Sequence, residues 1–504
     1  MAARAEALRR EEALRRADGV VGVGAVVAAG CGVALALAGA GAGNLPLVVA
    51  GGGAAAAGLF IILAAGWVDG TLLLALCLPL PALYSTESLR ISPALVLTGI
   101  VVPAWLLRRT AEGRAILLGA LPRRATALLG AALLLAGVFA QARLPALREL
   151  ATFALLFGVL VMAADEVAAR PAKARSIALV LGGTAAASGL FAALEAAGVL
   201  PARFPHSGSA FYRAALGFEW PNELGMYFAL SLPFAVYARS VAEGRAARAL
   251  AAAGIGACLV GLAVTFSRGS WLSAATGTAT LVLLADRRLL LRVWLAGLAA
   301  VVALDLVSGG ALRGRIAMTL VDDVVAQRLA LQYTGLLMFL ANPVIGVGPG
   351  GFAANLEQYG PQVSWLWDYI GSAHNLYVHM AAEAGAIGLA ALVGFLAAVL
   401  AVLVRSARRA RDGAAPDEAA LRRACAWSFG TLVVVGMFEW PFAHGIGQLI
   451  MLVAGMGCGL AAVGAGRATD AADGEALTAP VPHAGPAGPL VSGLSAKRGR
   501  AARA

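Results

Sequence analysis

A histidine and several arginines stand out in a chain that is 60% hydrophobic and only 13% charged. His374 and Asn375 lie near the start of the segment SAHNLYVHMAAEAGAIG (372–388), while Arg213 and Arg268 lie in FYRAALGFEWPNELG and VTFSRGSWLS. An arginine at membrane depth costs about 2.5–3.5 kcal/mol to insert, so it usually faces a cavity or a partner. The positive end of a helix dipole favours the neutral imidazole, which can accept a proton. Such residues could bind an anion and act as a general base.

Each of these residues also has a purely structural interpretation. Arg268 could be an interfacial anchor at a helix end, and His374 could be an ordinary polar loop residue. The local sequence favours more than that for His374. Ser372 or Asn375 can cap a short helix over 375–384, which a glycine at 385 would end. His379 is expected to point to another face of that helix and to be structural.

The segment GVGPGG (346–351) matches the dinucleotide fingerprint G-x-G-x-x-G letter by letter. That fingerprint needs a preceding strand and a following helix in a βαβ unit, and neither is predicted here. We interpret the segment as a tight turn whose backbone amides could bind an anion. No H-E-x-x-H motif or paired His and Cys spacing occurs, so we expect neither a metal site nor a cofactor. The five cysteines are not spaced as C-x-x-C and are expected to be packing residues.

Long apolar segments predict the elements that must position these residues. They recur along the chain at about 15–22 residues each, roughly the length of a helix that crosses a bilayer core. The fold predicted is an all-α polytopic membrane protein with 12–14 transmembrane helices. The expected spans are 19–40, 46–66, 70–84, 93–107, 126–140, 151–164, 176–199, 225–238, 250–266, 270–285, 291–309, 386–404, 426–443 and 445–464.

The basic residues predict the orientation of these spans. With the amino terminus inside, 30 of the 39 Lys and Arg residues fall in segments on the cytoplasmic side, as the positive-inside rule requires. Both termini are then cytoplasmic. The net charge of +11 reflects loops that face anionic lipid, and no nucleic-acid-binding motif accompanies it.

The chain is expected to form one membrane domain, 19–465, after a cytoplasmic segment, 1–18. An uncleaved first helix is favoured over a cleaved signal peptide, the alternative that small residues at 38–43 leave open. Two outer loops interrupt it, at 200–224 and at 310–385. Residues 466–504, rich in Ala, Gly and Pro with a basic end, are expected to be a disordered cytoplasmic tail. FEWPN (218–222) and FEWPF (438–442) echo each other, but one short echo does not establish an internal repeat.

Four segments in order resemble the O-antigen ligase and polymerase superfamily of bacterial membrane glycosyltransferases. They are PNELGMYFALSLP, FSRGSWLS, ANPVIGVGPGGF and HNLYVHMAAEAGAIG, and they cover roughly 205–400. In particular, the spacing His374-Asn375, nine residues, Gly385-x-x-Gly388 resembles the signature of the lipopolysaccharide O-antigen ligases.

This resemblance implies a bundle of the C-type glycosyltransferase class with a periplasmic active site in the bacterial inner membrane. It implies a glycan donor on undecaprenyl diphosphate, a glycan or lipid A-core acceptor, and no metal. Carried over by residue, Arg213 and Arg268 would bind the diphosphate and His374 would be catalytic. Arg328 matches an arginine upstream of the Gly-rich turn, and Asn222 and Asn375 are expected at the substrate. A flippase and a chain-length regulator are the expected partners.

Several alternatives stay open at this point. The sequence does not separate a ligase from a polymerase or from a protein O-oligosaccharyltransferase. A transporter or glycan flippase without chemistry is the alternative from another class. It would place charges or Gly/Pro breaks in helices at the bilayer midplane. Here the polar residues gather at the outer ends of the predicted helices and in the outer loops, which favours an outward-facing active site.

Overall fold

The computed structural model describes residues 45–80, 84–85, 90–205, 212–283, 323–360, 371–410, 414–442 and 445–478, with isolated residues between 25 and 33 and between 288 and 313. The chain divides into two units, Met1–Val463 and Gly464–Ala504. The first is a helical bundle. The second is described only as far as Thr478 and is helical up to that residue, within the segment expected to be a tail.

Helices dominate because Ala-, Leu-, Val- and Gly-rich segments satisfy their backbone polar groups internally only as helices when water is excluded. They are α1 Leu45–Ala64, α2 Gly70–Cys77, α3 Pro93–Ala111, α4 Ala120–Val138, α5 Arg143–Ala169, α6 Ala172–Ala196, α7 Pro221–Val241, α8 Gly244–Val264, α9 Arg268–Leu283, α10 Asp323–Ala341, α11 Gly351–Ala354, α12 Leu356–Tyr359, α13 Leu376–Arg409, α14 Pro416–Val435 and α15 Ile446–Thr478. Two small antiparallel hairpins pair β1 Tyr84–Ser85 with β2 Arg90–Ile91, and β3 Phe204–Pro205 with β4 Tyr212–Arg213.

The predicted fold class, an all-α polytopic membrane protein, is confirmed. Within the described ranges eight helices are long and apolar enough to cross a membrane: α3 to α8, α13, and α15 as far as Gly464. The predicted spans 19–40 and 291–309 lie largely outside the described residues, so the total of 12–14 stays a prediction. α2 covers only the first half of the predicted span 70–84, because Pro79 and Pro81 follow it and proline disfavours a continuing helix.

One long helix was not predicted. α10 lies inside the segment expected to be the outer loop 310–385, and its mixed polar and apolar sequence hides it from a search for apolar spans. Leu331 and Met338 of α10 are fully buried in a small core that also contains Phe352 and Ala382. This core packs α10 against α13, so the segment is an ordered part of the bundle.

The helices differ in how much of their apolar surface the protein itself covers. In α7, 78% of the apolar window is buried, whereas in α8 the share is 28%. On α4, the exposed side chains include Leu128, Leu134 and Val138. Apolar surface on this scale indicates a lipid-facing side in a membrane protein. α7 is therefore central and α4 peripheral.

Small residues allow the central helices to approach closely. A Cβ on Gly189 of α6 would lie 2.1 Å from the carbonyl oxygen of Ala257 in α8. A Cβ on Gly182 would lie 2.7 Å from the carbonyl oxygen of Phe234 in α7. Close packing through glycine is the usual means of association between helices in membranes.

The connections between helices define two ends of the bundle. At one end, which we call the site end, the β3–β4 hairpin meets the start of α7, the end of α8 and the start of α13. Arg213 contacts Thr265 there, and Leu376 donates to the carbonyl of Gly436. At the opposite end, which we call the distal end, α3 and α5 end and α6 begins. Arg109 and Asp165 form an ion pair at the distal end.

Candidate functional site

The β3–β4 hairpin holds Arg213 in place at the site end. Arg213 pairs with Phe204 across the hairpin. The chain that follows is tied to α6 because the buried carboxylate of Glu195 accepts the backbone N–H groups of Ala215 at 3.0 Å and Leu216 at 2.6 Å. The β3–β4 hairpin and its link to α6 therefore fix the backbone on both sides of Arg213.

Arg213 contacts another residue that the sequence predicted for the site. Its Nη2 donates to Oδ1 of Asn222, in the first turn of α7, at 3.1 Å. Its Nε donates to the carbonyl of Thr265, just after α8, at 3.1 Å. These two hydrogen bonds hold the guanidinium group of Arg213 in place through its Nε and Nη2.

Three arginines surround one cavity. Arg213, Arg268 at the start of α9 and Arg328 of α10 line it together with Asn222. Phe266, Ser267 and Gly269 complete the described lining. Planar guanidinium groups bind phosphate and carboxylate oxygens with two parallel hydrogen bonds, so this arrangement suits an anion with several oxygens.

Glu439, between α14 and α15, connects this cavity to His374. Its Oε1 accepts a hydrogen bond from Nη2 of Arg328 at 2.5 Å, and its Oε2 lies 2.7 Å from Nδ1 of His374. Arg328 also donates from Nη1 to the carbonyl of Phe438 at 3.4 Å. One buried carboxylate therefore joins an arginine of the cavity to the histidine.

The charge of Glu439 decides the tautomer of His374. Burial by itself raises the pKa of Glu439, but Arg328 and His374 lower it more, and the net pKa lies below the ordinary value of 4.5. An ionised carboxylate can only accept hydrogen bonds, so the proton of a neutral His374 lies on Nδ1. Nε2 then carries the lone pair, which is the arrangement of a general base.

The backbone around His374 explains why Asn375 follows it. Asn375 caps α13: its Oδ1 accepts from the N–H groups of Tyr377 at 3.0 Å and Val378 at 3.1 Å. Its Nδ2 donates to the carbonyl of Met437 at 3.2 Å. His374, one residue earlier, has a φ of +48°, a left-handed conformation that is uncommon outside glycine. The predicted cap is confirmed for Asn375.

The glycine after the nine-residue spacing interrupts α13. Gly385 has φ +63° and ψ −163°, and helix continues on both sides of it. A Cβ there would lie 2.3 Å from the carbonyl carbon and oxygen of Val344. The N–H of Ala386, freed by the kink, donates to the carbonyl of Pro343 at 2.8 Å. The kink therefore docks the segment ANPVI against α13.

The GVGPGG turn does not offer its amides to an outside anion. Its glycines at 346, 348 and 350 all have positive φ. The N–H groups of Gly350 and Phe352 donate to the carboxylate of Glu383 on α13, each at 2.9 Å, and Gly348 donates to the carbonyl of Glu383. The expected amide site exists, but a carboxylate of the protein occupies it.

His379 is buried against aromatic rings and away from the cavity. Its ring centroid lies 5.1 Å from that of Phe352 and 4.1 Å from that of Trp440. Its Nδ1 accepts from the N–H of Ala373 at 3.3 Å. This packing agrees with the structural role expected for His379.

The structure thus connects all six residues that the sequence singled out. Arg213, Asn222, Arg268 and Arg328 line the cavity, and Glu439 links Arg328 to His374 and thus to the adjacent Asn375. Sequence reasoning missed Glu439 and Glu383. The signal for Glu439 was the FEWP echo, and Glu383 is the acid within HNLYVHMAAEAG. Among the described residues, no group of three or more His, Cys, Asp or Glu could hold a metal ion.

The fold and the site together define a polytopic membrane protein with an arginine-lined cavity beside a histidine–carboxylate pair. Comparison with protein families finds a match over part of the chain. Residues 253–393 match the family model described as O-antigen ligase, which confirms the predicted resemblance to the O-antigen ligase and polymerase superfamily. The matched segment contains Arg268, Arg328, His374 and Asn375. No curated protein matches the chain.

Proposed function

We propose that this protein transfers a glycan from undecaprenyl diphosphate to an acceptor hydroxyl on the periplasmic face of the inner membrane. The family match supports a membrane glycosyltransferase of the O-antigen ligase or polymerase type. The observation that carries the finer proposal is the contact of Glu439 with both Arg328 of the cavity and His374. In this proposal both chain termini are cytoplasmic.

Arg213 and Arg268 bind the diphosphate of the donor. When the bond between the anomeric carbon and the diphosphate oxygen breaks, negative charge develops on the leaving group. Guanidinium groups stabilise that charge through charge-assisted hydrogen bonds and need no metal to do so. Asn222 supports Arg213 through the hydrogen bond at 3.1 Å and so acts as a positioning residue.

His374 acts as the general base for the acceptor. Its Nε2 takes the proton of the acceptor hydroxyl while the oxygen forms the new bond to the anomeric carbon and the diphosphate leaves. The imidazolium that results is stabilised by Glu439, which stays ionised and holds Nδ1–H. Arg328 orients Glu439, and Asn375 fixes the backbone next to His374.

The proposed chemistry can be tested with purified protein in detergent, with EDTA present and an undecaprenyl-diphosphate glycan as donor. We expect wild type to consume the donor when an acceptor is supplied, and His374→Ala to lower turnover by about 10²–10⁴-fold. Arg268→Gln should chiefly raise the KM for the donor. Arg248→Gln, which removes an exposed arginine at the distal end of the bundle, is the matched control and should behave as wild type.

Two outcomes would contradict the proposal. A donor left chemically unchanged by the wild-type protein would favour a transporter or flippase. A His374→Ala protein with normal turnover would exclude His374 as the base. Deletion followed by electrophoresis of surface glycan distinguishes the acceptors: single repeats on the lipid A-core indicate a lost polymerase, and lipid-linked chains absent from the core indicate a lost ligase.

A further inference from the structure

A second histidine–glutamate pair follows His374 along the chain. His379 and Glu383 are one turn apart on α13, and both are buried, with 3% and 4% of their surface exposed. Nε2 of His379 lies 3.4 Å from Oε1 of Glu383. A buried histidine beside a carboxylate has a defined orientation, because the ring nitrogen that carries the proton must face an acceptor. Nothing in the proposed transfer reaction uses this pair.

The other ring nitrogen of His379 contacts the backbone directly before His374. Nδ1 accepts a hydrogen bond from the N–H of Ala373 at 3.3 Å, and Ala373 is fully buried. A backbone N–H can only donate, so Nδ1 carries the lone pair, and the proton of a neutral His379 lies on Nε2, toward Glu383. His379 therefore has the opposite tautomer to His374, whose proton lies on Nδ1.

The backbone that His379 holds is strained. His374 has a φ of +48°, and a residue with a side chain keeps such a conformation only where its surroundings fix it. The N–H of His374 itself makes a long hydrogen bond, to Oγ of Ser372 at 3.4 Å. On the other side, Asn375 caps α13. The hydrogen bond from Ala373 to His379 completes this support, because it fixes the residue that precedes the strained one.

His379 is itself held by the groups that pack around it. Its ring packs against those of Phe352 and Trp440, whose centroids lie 5.1 and 4.1 Å away. Oε1 of Glu383, which faces Nε2, also accepts the N–H of Phe352 at 2.9 Å. The same carboxylate holds the GVGPGG turn, so the turn, Glu383 and His379 form one buried unit.

We propose that His379 is a positioning residue for His374. It holds Ala373 through Nδ1 and so fixes the direction in which the imidazole of His374 leaves the backbone. Nε2 of His374 must lie within hydrogen-bond reach of the acceptor hydroxyl, and a misplacement of about 1 Å can cost about 10²-fold in rate. This inference rests on the proposed function, in which His374 is the base, but the tautomers of the two histidines can be measured without turnover.

Two substitutions separate the hydrogen bond of His379 from its packing. His379→Asn keeps an acceptor at the position of Nδ1 but loses the ring, whereas His379→Phe keeps an aromatic ring but loses the acceptor. Tyr359→Phe is the matched control. It removes a hydrogen bond of the same length, 3.3 Å from Asn342, at a residue packed against the small core that contains Ala373.

Steady-state kinetics with the undecaprenyl-diphosphate glycan provides the first measurement. We expect His379→Phe to lower kcat by about tenfold or more with little change in the KM for the donor, because the base is displaced while the arginine-lined cavity is intact. His379→Asn should stay close to wild type in kcat, although the loss of its buried ring makes it unfold at a lower temperature than His379→Phe. A purely structural histidine would give the opposite order, with the less stable variant the less active. Tyr359→Phe should match wild type in kcat.

NMR of protein with ¹⁵N-labelled histidine in nanodiscs provides a second measurement that does not depend on catalysis. The signals of the two histidines are assigned by their loss in His374→Ala and His379→Asn. In wild type we expect His379 to be protonated on Nε2 and His374 on Nδ1. In His379→Phe we expect a second tautomer of His374 to appear, because its ring no longer faces Glu439 in one fixed geometry.

Two results would overturn the proposal. One is a wild-type His379 protonated on Nδ1, and the other is a folded His379→Phe protein with the kcat of wild type and an unchanged His374 signal. A failure of the proposed function looks different, because wild type then leaves the donor unchanged or His374→Ala keeps normal turnover. In that case the tautomers alone decide whether His379 positions His374.

Discussion

Glu439 accepts hydrogen bonds from an arginine and from a histidine with its two oxygens. The histidine was legible in the sequence because a polar pair before a helix is unusual in an apolar chain. The role of Glu439 was not predictable, since it lies 65 residues after His374 and no local pattern connects the two. A glutamate in an apolar segment indicates that a partner exists, but only the packing of α10, α13 and α14 shows which one.

The first prediction at this scale concerns catalysis. Glu439→Gln leaves the shape of the side chain but removes the charge that fixes the tautomer and stabilises the imidazolium. We expect turnover to fall by about 10²-fold or more, with a much smaller change in the KM for the donor. Steady-state kinetics would measure both. An equal change in turnover and KM would contradict this role. Recovery of normal turnover when the donor concentration is raised would contradict it as well.

The second prediction concerns pH. Because the pKa of Glu439 is lowered in the folded protein, the stability that its carboxylate contributes is present above about 4.5, the value expected in the unfolded chain, and is lost as the pH falls through the folded value. Wild type should therefore unfold at a higher temperature than Glu439→Gln at neutral pH. Thermal scans of both proteins in nanodiscs should show the difference shrinking only below about pH 4.5. A difference that vanished already at pH 6 would place the ionisation elsewhere.

At the scale of elements, the segment around α13 was the most predictable part of the site. Asn375 was identified as a cap and Gly385 as a stop, because both follow local rules of helix ends. α10 was missed, since its sequence is neither a continuous apolar run nor a loop. The hydrogen bonds from the GVGPGG turn to Glu383 could not be predicted either, because Glu383 lies 31 to 33 residues further along the chain.

Substitutions of Asn375 separate its two contacts. Asn375→Asp keeps the oxygen that caps α13 but loses the Nδ2 donor to Met437, whereas Asn375→Ala loses both. We expect Asn375→Ala to lower the free energy of unfolding by about 1 kcal/mol and Asn375→Asp to change it little. Thermal unfolding would measure this. If the two variants were equally destabilised, the cap would not be the stabilising contact.

Gly385 gives the sharpest prediction for an element. Gly385→Ala places a Cβ 2.3 Å from the backbone of Val344 at a φ of +63°, so we expect a loss of about 1–3 kcal/mol or more in stability. Gly394→Ala on the same helix is the matched control, since nothing lies within 4 Å of its Cβ position. The control should be neutral or slightly stabilising. Yield and thermal unfolding of both would decide, and equal behaviour would contradict the docking of ANPVI at the kink.

At the scale of the whole molecule, composition and charge predicted the membrane class, and the helices of the structure confirm it. They could not predict which spans are central, because α7 is less hydrophobic than α8 (mean hydropathy 1.2 against 1.9) and yet is far more buried. Composition and charge also could not predict the contact between Arg213 and Thr265. These residues are 52 positions apart, and their contact depends on the packing of α6, α7 and α8.

The two ends of the bundle should face opposite sides of the membrane. In a protein with its native cysteines replaced by alanine, Glu357→Cys at the site end and Arg114→Cys at the distal end are both exposed positions. We expect a membrane-impermeant maleimide added to intact spheroplasts to label Glu357→Cys, and to label Arg114→Cys only after lysis. The reverse pattern would invert the orientation, and labelling of both in intact cells would contradict a membrane-spanning bundle.

The contacts of Glu383 bear on where an anion can bind at the site end. Its carboxylate accepts hydrogen bonds from the N–H groups of Gly350 and Phe352, so these two amides are closed to any other anion. If the proposed donor is correct, its diphosphate has the guanidinium groups of the arginine-lined cavity to bind and not this turn, and unproductive binding at the turn is avoided.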